Sequence, residues 1–448
     1  MDSNRTQLLS RIRSAGVVGA GGAGFPTYKK LDASVEHIIA NGAECEPLMY
    51  KDREVMLQEQ EKMLAGLSLM KRLTGATKVT IAIKRKNSDL TRSLQPAAAK
   101  LGFALHVMED VYPAGDEFIL VYDITGRRIP PGGIPLQVGV VVDNVETIAN
   151  LARAEEGTPV TEKYVTITGA VKEAVTVVVP VGTSFRDCID LAGGLTIPNP
   201  VVFTGGLMMG GMETDLSLPV TKTIGGLIVL PSDHPLVERK GAPRQQYTRI
   251  GHSACDQCSL CTELCPRYIL GYPIEPHKVM RSLMMTGAER DRISLWAAYC
   301  CECNVCTLFA CPEKLDPKNI CVDAKGLLRE QKISRSKEEI DQLFREVHSA
   351  RDGRQIPIAM LYQRLGVKPY DRKAHFTRGS FAPRSVTIPL RANIGAAATP
   401  SVIEGASVRK GDCIGFVPDD KLGCPVHASI DGMVTGIDER GIHIASNG

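Results

Sequence analysis

The sequence predicts a multidomain chain that joins α/β and α+β units. Three observations carry this expectation. The chain has 448 residues, and single cores stop growing near roughly 250–300 residues. Residues 1–155 alternate strand-like apolar runs with helical patterning, the mark of an α/β unit. Ten of the 14 cysteines fall between Cys255 and Cys321, which gives the middle of the chain its own chemistry.

The elements follow in order. Leu8, Leu9 and Ile12 mark one face of a short helix leading into a glycine-rich loop, with a targeting helix as the alternative. Val35–Ala40 and Gly139–Val142 read as buried strands. Residues 160–232 are rich in Val, Thr, Ile and Gly and read as a small α+β unit. Tyr164–Gly169 and Ala174–Val179 are its strand candidates, and a helix over Ser184–Ala192 stops at Gly193–Gly194. Residues 250–325 carry the cysteines. Residues 326–385 are charge-rich, helical from Ser336 to His348, and read as a linker or docking arm. The arginines from Arg329 to Arg384 read as solvated charge before a dock for an acidic partner. Residues 386–448 are β-rich, with turn glycines at Gly405, Gly411, Gly415 and Gly432.

Composition excludes some classes. The formal net charge is only +3, so no nucleic-acid footprint is indicated. No apolar run reaches the ~18–20 residues of a membrane span. Met1–Arg13 has no apolar core of a secretory signal. Cysteine-rich composition in such a chain favours metal in a reducing compartment over disulfides, hence a cytoplasmic protein.

Cys255, Cys258, Cys261 and Cys265 precede Pro266 in the pattern C-x2-C-x2-C-x3-C-P, the bacterial ferredoxin run. Cys300, Cys303, Cys306 and Cys311 precede Pro312, with one extra residue in the last gap. Two residues between thiolates let a tight loop aim successive sulfurs at one cubane, and the proline turns the chain away. In two-cluster ferredoxins the fourth cysteine serves the other cluster. That rule assigns Cys255, Cys258, Cys261 and Cys311 to one [4Fe–4S] cluster, and Cys300, Cys303, Cys306 and Cys265 to the other. Zinc sites use paired C-x2–4-C units and four ligands, a poorer match. Cys301 and Cys321 are left over, and Cys301 rivals Cys300 as the start of the second run. Cys45, Cys188, Cys413 and Cys424 read as isolated buried thiols.

Gly19-Ala-Gly21-Gly-Ala-Gly24 fits G-x-G-x-x-G, and Glu44 stands twenty residues past Gly24. Such a loop suits a phosphate at a helix N-terminus, with the acidic residue on a ribose. A plain tight turn is the alternative, since only Val17–Val18 stands where a preceding strand should be. The stretches Gly19–Thr27, Asn41–Arg53, Tyr112–Glu117 and Asn144–Asn150 resemble the flavin-binding subunit of respiratory NADH dehydrogenase. They resemble the RnfC-type component of the Rnf electron-transport complex more closely, with a shared GG-MMGG stretch at Gly205–Gly211. The resemblance runs nearly the whole chain. It implies a Rossmann-like FMN domain over 1–155, a β-grasp (SLBB) domain over 160–232 and a two-cluster ferredoxin-like helical domain over 250–325. It further implies bound FMN, with NADH as substrate.

Carried over by motif, Gly21, Gly22, Gly24 and Lys30 would meet the FMN phosphate and ribityl chain. Asn41, Glu44, Gly115, Asp116, Glu117, Asn144 and Thr147 would line the isoalloxazine and its ribityl. Phe25 and Glu46 would face the nicotinamide nucleotide. Ala43 and Asp143 depart from the respiratory subunit, which has an acidic residue and an asparagine there. No residue stands out as a catalytic acid or base. The SLBB residues show no ligand chemistry and read as a structural bridge.

Lys410–Asp412 and Ala428–Val434 resemble the barrel-sandwich hybrid of biotinyl and lipoyl carriers. Lys421, in the hairpin Pro418–Gly423, falls near the carrier-lysine position. Asp420 and Leu422 do not match the biotin pattern, so an exposed turn lysine is the plainer reading. RnfC-type proteins carry this module at the N-terminus. Its C-terminal place here is similar to the cobalamin (corrin) reductases of propanediol-utilisation microcompartments. That resemblance implies an NADH-dependent reductase sending single electrons from FMN through both clusters to cobalamin, supporting adenosylcobalamin regeneration for propanediol degradation. It implies an adenosyltransferase and a microcompartment shell protein as partners, inside a bacterial microcompartment. An Rnf-type protein would share every redox residue and differ in partner. A cluster-carrying scaffold without corrin activity is the non-enzymatic alternative.

Overall fold

The computed structural model describes residues 3–377, 381–391 and 393–446; residues 378–380 of the arginine-bearing arm lie outside the described residues. The first sheet holds β1 (His37–Gly42), β2 (Lys78–Lys84), β3 (Ala104–Met108) and β4 (Val140–Asn144). All pair in parallel, in the order β3-β2-β1-β4. Side chains alternate across the pleat. Ile38 and Ala40 enter a core with Leu67, Ile81, Val141 and Ile148, while Ile39 enters a second with Ala82, Leu120, Val140 and Val142. Both faces are covered, so these strands read as unbroken apolar runs. β1 starts at His37 rather than Val35, because Val35 N donates to Thr74 O at 3.2 Å and Glu36 N to Gly139 O at 2.9 Å.

The helices around this sheet include α1 (Ser3–Ser14), α2 (Lys51–Gln58), α3 (Gln60–Thr74), α4 (Ser88–Lys100), α5 (Glu117–Thr125) and α6 (Val145–Glu155). α3 and α6 meet at Gly66, where a Cβ would lie 1.9 Å from Ile148 O. Any larger residue there would push the two helices apart.

A mixed sheet follows, with β5 (Glu162–Gly169), β6 (Val175–Pro180), β7 (Pro200–Thr204), β8 (Gly211–Glu213) and β9 (Gly226–Pro231). Its helix α7 (Phe185–Leu191) is capped by Ser184, whose hydroxyl accepts from Asp187 N at 3.0 Å, and it ends at Gly193 and Gly194, both at positive φ. Helices α8 (Arg244–Ala254), α9 (Pro276–Arg281) and α10 (Pro317–Glu330) surround the cysteine loops over a core of Val279, Met280, Ile320 and Cys321.

The stretch 326–385 does not hang free. Its helix α11 is shorter than expected, Lys337–Leu343, because Phe344 turns extended. Ile356 then pairs with Tyr112, Tyr362 Oη accepts from Leu48 N at 2.9 Å, and Leu361 and Val367 are buried with Phe203 and Leu308. β10 (His375–Thr377) closes the edge of the mixed sheet, whose order is β10-β6-β5-β9-β7-β8. This segment therefore straps the flavin, β-grasp and cysteine units together.

The C-terminal module has β11 (Ser385–Ile388), β12 (Thr399–Pro400), β13 (Ser407–Val408), β14 (Cys413–Phe416), β15 (Val426–His427), β16 (Gly432–Asp438) and β17 (Gly441–Ser446). Two sheets, β11-β17-β16-β13 and β12-β14-β15, enclose Val386, Ile414, Val426, Val434, Ile442 and Ile444. Among the described residues no helix is long and apolar enough to cross a membrane.

Candidate functional site

Neighbouring parallel strands β1 and β4 end together, with Asn41 opposite Asn144. The strand order reverses between them, and open α/β sheets bind ligands in the crevice beyond such a point. Two adjoining cavities lie there. The inner one, 520 Å³, is lined among others by Glu44, Cys45, Glu46, Lys51, Asp52, Tyr112, Asp116 and Cys303. The outer one, 850 Å³, is lined by Phe25, Lys29, Lys30, Glu117, Asp143 and Leu422, among others. Gly21, Gly22, Asn41, Gly115 and Asn144 border both.

The glycine loop is closed by a Val18–Pro26 bridge and by Gly19 N donating to Phe25 O at 3.0 Å. No strand precedes it, and the helix after it spans only Thr27–Lys30. The expected helix N-terminus for a phosphate is therefore too short to matter, and Lys30 supplies the positive charge instead. Thr147 Oγ1 accepts from Ala20 N at 2.9 Å and lines neither cavity, so it steadies the loop from behind. A Cβ on Gly21 would come within 2.9 Å of Asn144 Nδ2, whereas one on Gly22 would meet nothing within 4 Å. That open space borders both cavities and gives a ligand close access to the backbone.

Each remaining candidate is held by local chemistry. Asn41 Nδ2 donates to Gly115 O at 2.9 Å. Asn144 caps α6, accepting from Glu146 N, and donates to Asp52 at 3.0 Å. Asp116 caps α5 and its other oxygen takes Arg267 at 2.7 Å, which ties the flavin domain to the chain just after Cys265. Lys30 Nζ donates to Val142 O at 2.8 Å and lies 3.2 Å from Asp143 and 3.5 Å from Glu117. Asp143 Oδ2 is buried without a partner. A buried acceptor on a cavity wall calls for a donor from the ligand, and a ribityl hydroxyl is such a donor. With the open glycine, Lys30 and the cavity volume, these residues fit FMN.

Glu44 is pushed up to about 8, first by burial and then by the neighbouring charge of Asp52, against Lys51. Burial pushes the Cys45 thiol up to about 12, which leaves it neutral. Glu46 accepts from Met208 N at 2.8 Å and Met209 N at 2.9 Å. Both of its oxygens are thus engaged, and it lines the inner cavity while Phe25 lines the outer one. The two residues thus stand in adjoining cavities that share Gly21, Gly22, Asn41, Gly115 and Asn144.

The β-grasp unit is more than a bridge. Its turn between β7 and β8 walls the inner cavity with Gly205, Met209, Gly210 and Gly211. Lys240 Nζ holds this turn through Leu207 O at 2.9 Å and Gly210 O at 2.7 Å, and Asn304 Nδ2 donates to Met208 O at 2.9 Å. Lys51, Asp52, Tyr112 and Met209 were missed as site residues. Lys51 and Asp52 stand within the Asn41–Arg53 stretch, but charged residues opening a helix ordinarily face water, and only their burial betrays them.

Cys255, Cys258, Cys261 and Cys311 line one small cavity, so the crossed set is assembled in space. Cys300 packs both against the core that holds Cys265 and against the core that holds Cys311. The two loops repeat one backbone pattern. Gln257 and Ser259 in the first run and Glu302 and Asn304 in the second all have φ between 60° and 66°. This places Cys300 in register with Cys255 and Cys301 in register with Asp256. The extra residue before Cys311 is absorbed by a π turn over Cys306–Ala310, with Cys311 N donating to Cys306 O at 3.1 Å. Such a turn inserts one residue without losing the helical direction. Lys325 Nζ on Cys300 O and Arg364 on Cys311 O bring cations to both loops. Among the described residues no three His, Cys, Asp or Glu side chains form a site for a single metal ion. None of the cysteines is in a disulfide, and Cys413 is exposed rather than buried.

Residues 12–153 match the Nuo51 FMN-binding domain, 164–210 the SLBB domain, 254–316 a 4Fe-4S dicluster domain and 362–447 the RnfC barrel sandwich hybrid domain. The cobalamin reductase PduS of Salmonella typhimurium is 40% identical over 445 residues, 99% of this chain and 97% of that protein. Cobalamin reductase PduS of Citrobacter freundii is 41% identical over 438 residues, 98% and 96% of the two chains. The C component of the proton-translocating ferredoxin:NAD(+) oxidoreductase complex of Clostridium ljungdahlii is 32% identical over 269 residues, 59% of this chain and 56% of its own. An NAD+-reducing [NiFe]-hydrogenase in the H2-reduced state shares the fold alone. Its TM-score is 0.50 at 19% identity, over 75% of this chain and 64% of that one. This chain is an oxidoreductase with an FMN domain and a [4Fe–4S] dicluster domain, and it belongs to the PduS family of cobalamin reductases.

Proposed function

We propose that the chain is an NADH-dependent cobalamin reductase whose electrons leave singly through two [4Fe–4S] clusters. The observation that carries this reading is at Cys303. This cysteine of the second run lines the inner cavity, and the Tyr112 hydroxyl donates to its carbonyl at 2.7 Å. When bound, FMN supplies a centre that takes electrons in pairs and gives them up one at a time.

The chain's own residues position the parts and hold protons. The second run, with Cys265, is proximal to the flavin cavity. The first run, with Cys311, is distal, and Cys258 is exposed there, which supports an outlet on that side. Glu44, at about 8, keeps its carboxyl proton near neutral pH inside the inner cavity. It can therefore donate where a basic ligand atom sits. Glu46, the Met208–Met209 turn and Asn304 form a hydrogen-bonded tie from the flavin domain through the β-grasp domain to the proximal cysteine loop.

Cobalamin as acceptor is supported by identity to two named cobalamin reductases over nearly the whole chain. Adenosylcobalamin regeneration for propanediol degradation, an adenosyltransferase and a shell protein as partners, and residence in a bacterial microcompartment belong to the same proposal. Its test is anaerobic purification with iron, sulfide and flavin analysis, followed by NADH-dependent corrin reduction. Corrin turnover is expected. No turnover at full cluster and FMN occupancy would sink the reading, and co-purification with integral membrane proteins would replace it by an electron-transport complex.

A further inference from the structure

The outer cavity has a wall that the flavin domain does not supply. Leu422 of the C-terminal module lines it together with Phe25, Ile134, Pro135 and Leu136. Phe25 is 37% exposed and Ile134 53%, large apolar groups left open at a cavity that also holds exposed Lys29. Apolar walls beside a lysine suit a flat base joined to an anionic phosphate chain.

The hairpin that carries Leu422 is anchored to the glycine loop. Leu422 O accepts from Ala396 N at 2.8 Å, and Ile394 N donates to Gly24 O at 3.2 Å. Ahead of the loop, Arg13 donates to Val417 O at 3.0 Å and to Pro418 O at 2.8 Å. Lys222 donates to Gly16 O at 2.9 Å and to Pro425 O at 3.4 Å. The C-terminal module thus grips both ends of the segment that frames the cavity.

We propose that the Pro418–Gly423 hairpin is part of the dinucleotide site, with Leu422 closing the outer cavity over the adenine nucleotide half of NADH. The hairpin that presents a lysine for modification in carrier modules here presents its next residue to a ligand. This rests on NADH being the donor, as proposed above.

The test is calorimetric binding of ADP-ribose to the full chain loaded with FMN and clusters. Wild type, Leu422→Ala, Leu422→Glu and Phe25→Ala are compared. ADP-ribose keeps the base and pyrophosphate and lacks the nicotinamide. Leu422→Ala preserves the hairpin's tie to Ala396, which uses main-chain atoms alone. About tenfold weaker binding is expected for Leu422→Ala, from the apolar contact removed, and a larger loss for Leu422→Glu. FMN and iron contents should stay at wild-type levels. Equal dissociation constants for wild type and both Leu422 variants overturn the proposal. So does loss of FMN from these variants with ADP-ribose affinity kept, which would assign the hairpin to the flavin. If wild type binds no ADP-ribose and NADH leaves its flavin oxidised, NADH is not the donor, and the preceding reading falls together with this one.

Discussion

Replacing Glu146 by alanine should loosen the flavin loop from behind. Glu146 is 2% exposed in the first turn of α6. Its carboxylate takes Lys51 Nζ at 3.0 Å, Lys163 Nζ at closer range and Tyr164 N at 3.1 Å. Lys163 also donates to Ala20 O at 2.9 Å, inside the glycine loop. Burial already pushes Lys163 down to about 8, with Glu146 opposing the fall. Removing one partner of a buried ion pair costs about 3–5 kcal/mol. Lys51 keeps Asp52 at 2.8 Å, so the loss falls mainly on Lys163 and the lower end, ~3 kcal/mol, is expected. A domain holds only about 5–15 kcal/mol in all, so the first unfolding transition in urea should move to clearly lower denaturant, with FMN released in the same step. Glu146→Gln keeps an acceptor for Tyr164 N and should lose less.

The pH window, rather than the sign, differs between the two proteins. Glu146 is held below the usual carboxylate range, chiefly by Lys163 and Lys51 against burial. Its stabilisation is present above the unfolded carboxylate pKa and is lost as pH falls through the lower folded value. In the alanine variant that acid-side loss disappears. Lys163, which burial lowers to about 8 with Glu146 opposing the fall, adds stability in wild type as pH rises from about 8 toward the ordinary lysine pKa, and the variant, lacking that carboxylate, should show the larger gain. An alanine variant with the wild-type urea midpoint and full FMN would refute the reasoning.

Cys265→Ser and Cys311→Ser should each lose about four irons, but from different clusters. Electron paramagnetic resonance after NADH addition should show the distal signal stranded in the first variant and the proximal signal still reducible in the second; identical spectra would contradict the crossed arrangement. Deleting Ala310 removes the extra residue of the π turn and restores the spacing of the first run, so iron content should stay unchanged; loss of about four irons would show that the turn is required. Glu44→Gln should flatten any change near pH 8 in the rate of flavin reduction by NADH, since the wild-type carboxyl is protonated below about 8 and charged above it; a persisting step in the variant assigns the proton elsewhere. Asn304→Ala should leave flavin reduction by NADH intact and slow its onward reoxidation through the clusters, read by stopped-flow absorbance.

Much of the site was legible because its chemistry is local. A cubane demands thiolates at short fixed intervals, so the two cysteine runs announce themselves. β1 and β4 are covered on both faces, so their apolar runs are plain, and the asparagines that end them fall in recognisable stretches. The glycine loop was legible as a loop but not as a strand–loop–helix, because Val17–Val18 makes only a bridge. The choice between Cys300 and Cys301 was open in the sequence, where both are adjacent thiols. The backbone aligns Cys300 with Cys255, since Glu302 and Asn304 repeat the positive φ of Gln257 and Ser259, while the Cys301 side chain is the one that meets Cys303 and Cys300 meets Cys321.

By itself the sequence determined the two [4Fe–4S] cysteine runs, the glycine loop and the order of the units. These depend on residues close together in the chain, whose spacing the chemistry dictates. Only the tertiary structure decided that Glu46 and Phe25 line adjoining cavities, that the β-grasp turn at Met208–Met209 walls the inner one, and that Lys163 reaches the glycine loop and Leu422 the outer cavity from other domains. Each of those contacts joins segments far apart in the chain. No local pattern encodes them, because burial and pairing across a domain boundary exist only once the domains are packed.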